Sequence, residues 1–369
     1  MKVLIVLHHR FELWQAPPWL AERLRKDFPA HEFVHLDTYE GMEQHLANAE
    51  VFIGWSLRSE QIAVAKRLRW IHSPAAAVHE LLKPEIVQSE VVITNARGIH
   101  GPVVAEHVIA QIFALAKRLP SAFRYQQQHK WAQEDLWNER PRPREVAGST
   151  LGLVGLGSIG SEVARRAVAL GMRVLAIREH PERKTEGVIL SERAPGARVE
   201  GPLPSEESGK GHGFSRADKP QEEKGALAPE VKIVGPDSLN QVLAQSDFVV
   251  LAAPLTAQTR GLINARRLSL MQPGAYLINV SRGPLIDDAA LIAALRERRS
   301  AGAALDVFAD EPLPADSPYW DLPNVLLTPH TAAVTEKLWE RHYAQIQENL
   351  KRHLSGRPLL GVVDKVRGY

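Results

Sequence analysis

Residues 150–178 read TLGLVGLGSIGSEVARRAVALGMRVLAIR, and no other stretch limits the fold of this chain as tightly. An apolar run, a glycine-rich turn, a helical pattern and a second apolar run describe two parallel strands joined by a crossover helix. Gly155, Gly157 and Gly160 keep the spacing G-x-G-x-x-G, which permits a tight turn, a close approach of backbone to a bound pyrophosphate, and close packing of helix on strand. The helix that starts at Ser158 and Ile159 turns its unpaired N–H groups and positive end toward the same place. Three glycines alone are a weak signal; a strand before them and a helix after them make it specific for dinucleotide binding.

The second strand of this unit ends on Arg178, followed by Glu179. An acid at that point accepts hydrogen bonds from the adenosine ribose, whereas a guanidinium pairs with the 2′-phosphate of NADP. Arg178 therefore favours NADP over NAD, with Arg183 and Lys184 adding charge to the same place. The other reading stacks Arg178 on adenine while Glu179 holds the ribose of NAD, and it stays open.

From residue 2 to about 98, the runs KVLIVL, EFVHL, VFIGW, RWIHS and VVITN alternate with amphipathic segments such as PPWLAERLRKDF, the signature of βαβ units on a parallel sheet. HGPVVAEHVIAQIFALAKRLP, residues 100–120, is apolar on nearly every face. It is expected as a buried crossing helix of about five turns, with Pro102 near its start and Pro120 ending it. Beyond a polar connector, TLGLVGL, MRVLAI, FVVLAA, AYLINVS, GAALDVF and VLLTP form a second sheet, and the helical segment EKLWERHYAQIQENLKRHL is expected to return to the first. Residues 181–232, rich in Gly, Pro, Ser and mixed charge, are expected as a mobile insertion, because they offer too little apolar surface to offset the entropy of ordering.

With 369 residues the chain is long enough for two cores. Its 45 basic and 43 acidic side chains leave a net charge of +2, so no excess field points to nucleic acid or an anionic membrane. The opening apolar run, residues 3–7, is too short for a signal or a span, and no run reaches the roughly 20 residues a spanning helix needs. A cytoplasmic protein is the expectation. Cysteine is absent, which excludes disulfides, thiolate metal sites and cysteine nucleophiles. His8, His9 and His107 do not have metal-ligand spacing, so no metal is expected.

Three later strands end in ionisable groups: Arg282 in LINVSRG, Asp306 and Glu311 in ALDVFADEP, and His330 in LLTPH. In an open parallel sheet, ligands lie outside the carboxyl ends of the strands, so these side chains are expected to converge. Taken singly, each reads as a loop or strand-end residue; their order downstream of a nucleotide turn argues for chemistry. The ordered blocks TLGLVGLGSIG, APLTAQTRGLI, LINVSRGPLID, AALDVFADEPLP and LTPHTAA resemble the D-isomer-specific 2-hydroxyacid dehydrogenases over nearly the whole chain.

The resemblance implies an α/β protein of two doubly wound parallel-sheet domains. A Rossmann cofactor domain (99–334) would be inserted into a flavodoxin-like substrate domain (1–98 with 335–369). It also implies hydride transfer between NAD(P)H and a small 2-oxo acid such as hydroxypyruvate or glyoxylate, and a homodimer. Carried over by motif, Arg282, Glu311 and His330 are catalytic, while Ala253, Pro254, Thr259, Val280, Ser281, Asp306, Thr331 and Ala332 join the glycine turn around the cofactor. Ala75, Ala76 and Ala77 of SPAAAV stand where the family offers backbone N–H groups to the substrate carboxylate; many relatives have a glycine there.

These residue types suit that reaction. A guanidinium hydrogen-bonds a carboxylate and a carbonyl together, which lysine does not. A histidine gives a proton to the carbonyl oxygen as charge grows on it and removes one in reverse, and a carboxylate on its other nitrogen fixes the tautomer. Asp306 is read either as a contact to the nicotinamide amide or as a cap of backbone groups. Arg97 and His100 either select substrate or pack the hinge, and Trp131 and Trp137 read as packing or subunit-contact anchors. A nucleotide-sensing corepressor or scaffold on the same fold is the alternative from another class.

Overall fold

A computed structural model describes residues 1–75, 78, 80–182 and 231–366. Two parallel sheets organise them. The first contains β1 (Lys2–Val6), β2 (Glu32–Leu36), β3 (Val51–Gly54), β4 (Trp70–Ser73) and β5 (Val92–Asn95), in the order β2-β1-β3-β4-β5. The second contains β6 (Thr150–Val154), β7 (Arg173–Ile177), β8 (Val231–Val234), β9 (Phe248–Leu251), β10 (Tyr276–Asn279), β11 (Gly302–Leu305) and β12 (Val325–Leu327), in the order β12-β11-β10-β9-β6-β7-β8. The first order is flavodoxin-like, and the second is that of a Rossmann sheet extended by one strand.

The strands read as continuous apolar runs because both faces are covered. Successive side chains point to opposite faces, so Val3 and Ile5 enter one core while Leu4 and Val6 enter another. In the second sheet Phe248 and Val250 lie on one side, Val249 and Leu251 on the other. The C-terminal helix, Leu338–Leu354, brings Trp339, Ile346 and Leu350 into the core that holds Val3 and Ile5. Beyond it, Val363 donates its N–H to Ile93 and Gly361 accepts from Asn95 N–H, so the chain end closes along β5.

Two expectations are corrected. The crossing helix spans Gly101–Ala116, and Pro120 does not end it; Arg118 takes a left-handed φ of 58° and a new helix, Leu119–Gln127, begins with Pro120 in its first turn. Proline fits there because first-turn N–H groups need no intrahelical partner. Val231 and Lys232, assigned by sequence to the insertion, open strand β8, with Val231 opposite Val174 of β7. The strand is short and borders the sheet, so composition gave little sign of it. Of the insertion, residues 183–230 lie outside the described residues, Arg183 and Lys184 among them. Among the described residues no helix is long and apolar enough to cross a membrane.

Candidate active site

Parallel register brings the loops that matter side by side. Asn279 of β10 stands opposite Leu305 of β11, and Leu305 opposite Leu327 of β12, so residues 280–282, 306–311 and 328–332 leave the sheet at one edge. The glycine turn leaves the same edge after β6, beside β9 and the Ala253–Pro254 loop.

The turn has the shape a dinucleotide requires. Gly155 has φ +103°, and a Cβ there would lie 2.7 Å from the backbone of Ala252 and Ala253. A Cβ on Gly160 would lie 2.1 Å from the carbonyl oxygen of Gly155, whereas one on Gly157 would meet nothing within 4 Å. Gly155 and Gly160 are thus demanded by the protein's own packing, and Gly157 borders open space in front of the helix Ser158–Ala169. These residues fit a pyrophosphate. Arg178 follows β7 directly and is half-buried, its N–H bonded to the Val234 carbonyl, and Glu179 beside it is exposed.

Arg282, Glu311 and His330 come from three different loops. His330 Nδ1 lies 2.7 Å from Glu311 Oε2, and Glu311 Oε1 accepts the Phe308 N–H at 2.9 Å. The carboxylate therefore bridges backbone and imidazole and leaves Nε2 of His330 for a ligand. Both side chains remain open, His330 at 47% and Glu311 at 34% exposure. Burial lowers the pKa of the Arg282 guanidinium, and the charge of Glu311 opposes that. Arg282 Nη1 donates to the Ser281 carbonyl at 2.6 Å.

The remaining expected residues divide by their bonds. Ser281 Oγ donates to the Ala253 carbonyl, joining the loops after β9 and β10. Thr259 Oγ1 donates to the Pro254 carbonyl at 2.7 Å and so braces its own loop. Val280 and Ala332 are buried in a core. Asp306, 1% exposed, accepts from Thr328 Oγ1 (2.6 Å) and Thr331 N–H (2.9 Å) on Oδ1, and from Ala332 N–H (3.0 Å) on Oδ2. Its carboxylate caps the segment that carries His330. Ala75 N–H is bonded to Ser73 Oγ at 3.2 Å; Ala76 and Ala77 lie outside the described residues. His100 packs its ring against His342, 5.8 Å between centroids, while Gln345 Nε2 donates to the Arg97 carbonyl.

Sequence reasoning missed Asn279, Gly283 and Thr328. Asn279, fully buried, donates to the Arg282 carbonyl (3.0 Å) and accepts from Ser281 N–H (3.0 Å), which shapes the loop presenting the guanidinium. A polar residue closing the apolar run YLIN was its only signal.

A Rossmann sheet whose glycine turn shares its edge with an arginine and a carboxylate-bound histidine defines the class of nicotinamide-dependent oxidoreductases. The sequence matches the family model of the D-isomer specific 2-hydroxyacid dehydrogenase, NAD binding domain, over residues 109–196 and 213–332. The chain belongs to the D-isomer specific 2-hydroxyacid dehydrogenase family. It is 32% identical over 296 residues to the glyoxylate reductase of Korarchaeum cryptofilum, which covers 79% of this chain and 75% of that protein. A D-isomer specific 2-hydroxyacid dehydrogenase from Xanthobacter autotrophicus, solved with NADPH and MES, aligns with a TM-score of 0.72 at 27% identity, over 100% of this chain and 99% of that one. D-Lactate dehydrogenase from Aquifex aeolicus, solved with NAD and lactic acid, aligns at 0.67 and 26% identity, over 96% of each chain.

Proposed function

We propose that this protein interconverts a small 2-oxo acid and its D-2-hydroxy acid with NADPH as the preferred cofactor, and that Arg282, Glu311 and His330 are its catalytic residues. The observation that carries this reading is the His330–Glu311 contact of 2.7 Å on the sheet edge shared with the glycine turn. A bound nicotinamide cofactor supplies or accepts the hydride. Residues 155–160 would hold its pyrophosphate, and Arg178 the 2′-phosphate. Ala253, Pro254, Thr259, Val280 and Ser281 would line the cofactor cleft, with Asp306, Thr331 and Ala332 bordering it.

The guanidinium of Arg282 binds the carboxylate and carbonyl of the substrate and orients the carbonyl. Its burial strengthens both hydrogen bonds, because little water competes. His330, with Nδ1 engaged by Glu311, delivers a proton from Nε2 to the carbonyl oxygen, and in the reverse direction takes one from the hydroxyl. The backbone N–H groups of residues 75–77 would receive the substrate carboxylate.

The same reading places the substrate domain at 1–98 with 335–369 and the cofactor domain at 99–334, and it takes the protein as a cytoplasmic homodimer. Support for self-association comes from the segment after the crossing helix, where Phe123, Trp131 and Trp137 are 59%, 91% and 56% exposed. Exposed aromatic side chains of this kind are enriched at contact surfaces.

Turnover with glyoxylate, hydroxypyruvate and larger 2-oxo acids, followed by loss of reduced-nicotinamide absorbance with NADPH and NADH, tests the proposal. The expected result is a higher kcat/KM with NADPH, shifted toward NADH by Arg178→Asp. Cofactor binding with negligible turnover of every acid would favour the sensing or scaffold alternative, and a wild type that prefers NADH would remove the assignment of Arg178.

A further inference from the structure

The crossing helix aims two polar side chains at the segment that carries His330. His107 and Gln111 lie one turn apart, on one face of the helix. His107 Nε2 is 3.1 Å from Thr328 Oγ1 and 3.6 Å from Asp306 Oδ1. The Gln111 amide lies 3.0 Å from His107 Nε2 and 3.4 Å from Thr328 Oγ1. Thr328 gives its one hydroxyl proton to Asp306 at 2.6 Å, so toward the helix its oxygen only accepts.

Proton placement on this network follows from Thr328 and Asp306. The Thr328 hydroxyl proton is engaged by Asp306, so the 3.1 Å contact with His107 is a hydrogen bond when the imidazole proton is on Nε2. The Asp306 carboxylate, 3.6 Å from Nε2, disfavours a lone pair there, and the Gln111 amide then turns its oxygen to the same proton. That proton then lies between Gln111, Thr328 and the Asp306 carboxylate. Burial holds the pKa of His107 down while Asp306 opposes this. Asp306 in turn holds Thr331 and Ala332 by their N–H groups and His330 through its own carbonyl, at 2.8 Å.

We propose that His107 is a positioning residue for the reaction: its Nε2–H, through Thr328 and Asp306, fixes the 328–332 segment in the conformation that presents His330. This rests on the reading of His330 as the proton donor. His107 touches neither Glu311 nor the open edge of the imidazole; it acts from behind, through the support of the loop.

The test compares wild type with His107→Leu, His107→Gln and Thr328→Val. Misplacing a catalytic group by a fraction of an ångström slows turnover without weakening binding, so kcat of the Leu variant should fall about tenfold or more. KM and cofactor Kd should stay within about twofold, as for loss of an interaction made only in the transition state. Glutamine keeps an N–H donor and should return kcat to within about threefold of wild type; Thr328→Val, which removes the intervening hydroxyl, should reproduce the Leu defect and serves in its place if that variant does not fold. Amide exchange of a peptide covering 328–334, measured without substrate, should quicken in the Leu and Val variants and recover with Gln. Unchanged kcat and exchange in His107→Leu, or an equal loss with Gln, would overturn the proposal. Absence of turnover in the wild type would instead refute the reading of the enzyme, and the exchange measurement would still decide the role of His107.

Discussion

His330 shows how much a single residue contributes beyond its side chain. Its φ is +52°, in the left-handed region where non-glycine residues are uncommon. Two hydrogen bonds from its N–H, to the carbonyls of Asp306 (2.8 Å) and Thr328 (3.0 Å), hold it there, and the ring then meets Glu311. Replacing His330 with Ala removes the imidazole proposed as proton donor but not the bonds from the following two residues to Asp306. We expect kcat to fall by roughly 10²–10⁴-fold with cofactor Kd nearly unchanged, measured by steady-state kinetics and fluorescence titration. Turnover close to wild type would exclude the residue from the chemistry. The place of His330 at a strand end was legible in the sequence; its backbone conformation was not, because one of the two bonds that hold it comes from Asp306 on the neighbouring loop.

At the scale of elements, function depends on how closely adjacent loops meet at the sheet edge. The turns after β10 and β11 touch at Gly283, where a Cβ would lie 1.9 Å from the Phe308 carbonyl carbon and 2.2 Å from Ala309 N. Phe308 also gives its N–H to Glu311. Gly283→Ala should therefore displace the partner of His330, lowering kcat at least about tenfold and stability by roughly 1–3 kcal/mol, with cofactor binding kept. A melting point and kcat equal to wild type would show that the contact yields without consequence. The strands themselves were readable as apolar runs, since both faces of a parallel sheet are buried. Strand β8 and the break at Arg118 were not, because one depends on a neighbour at the sheet edge and the other on a single residue's φ.

At the scale of the molecule, two buried histidines and one half-buried histidine join parts that are distant in sequence. His72 lies on β4, His100 precedes the crossing helix, and His342 lies on the C-terminal helix. Burial pushes the pKa of His72 down to about 4, and burial followed by the charge of Arg341 does the same for His100. That of His342 is also lowered, mainly by burial. Thr94 Oγ1 accepts from Trp70 Nε1 at 2.8 Å and contacts His72 Nδ1 at 2.9 Å, and His72 Nε2 is buried without a partner, so no group nearby compensates a charged ring. Because these groups are neutral in the folded state and titrate near 6.5 when unfolded, their contribution is complete above pH 6.5. It is lost as the pH falls toward about 4. Each of His72 and His100 is worth about 3 kcal/mol over that window, so the melting point of the first-sheet domain should drop by roughly 10–20 °C between pH 6.5 and 4.5. Calorimetry across that range tests this, and a flat melting point would refute it.

The sequence by itself determined the two parallel sheets, the dinucleotide turn and the ionisable groups that close the later strands. Runs of apolar residues and glycine spacing act locally, through steric limits on φ and through burial. Tertiary structure alone decided which polar atoms meet. Hydrogen bonds such as that from Thr328 to Asp306 and that between His107 and Thr328 join residues 22 and 221 positions apart, and such partners are specified by the packing of elements rather than by any pattern along the chain.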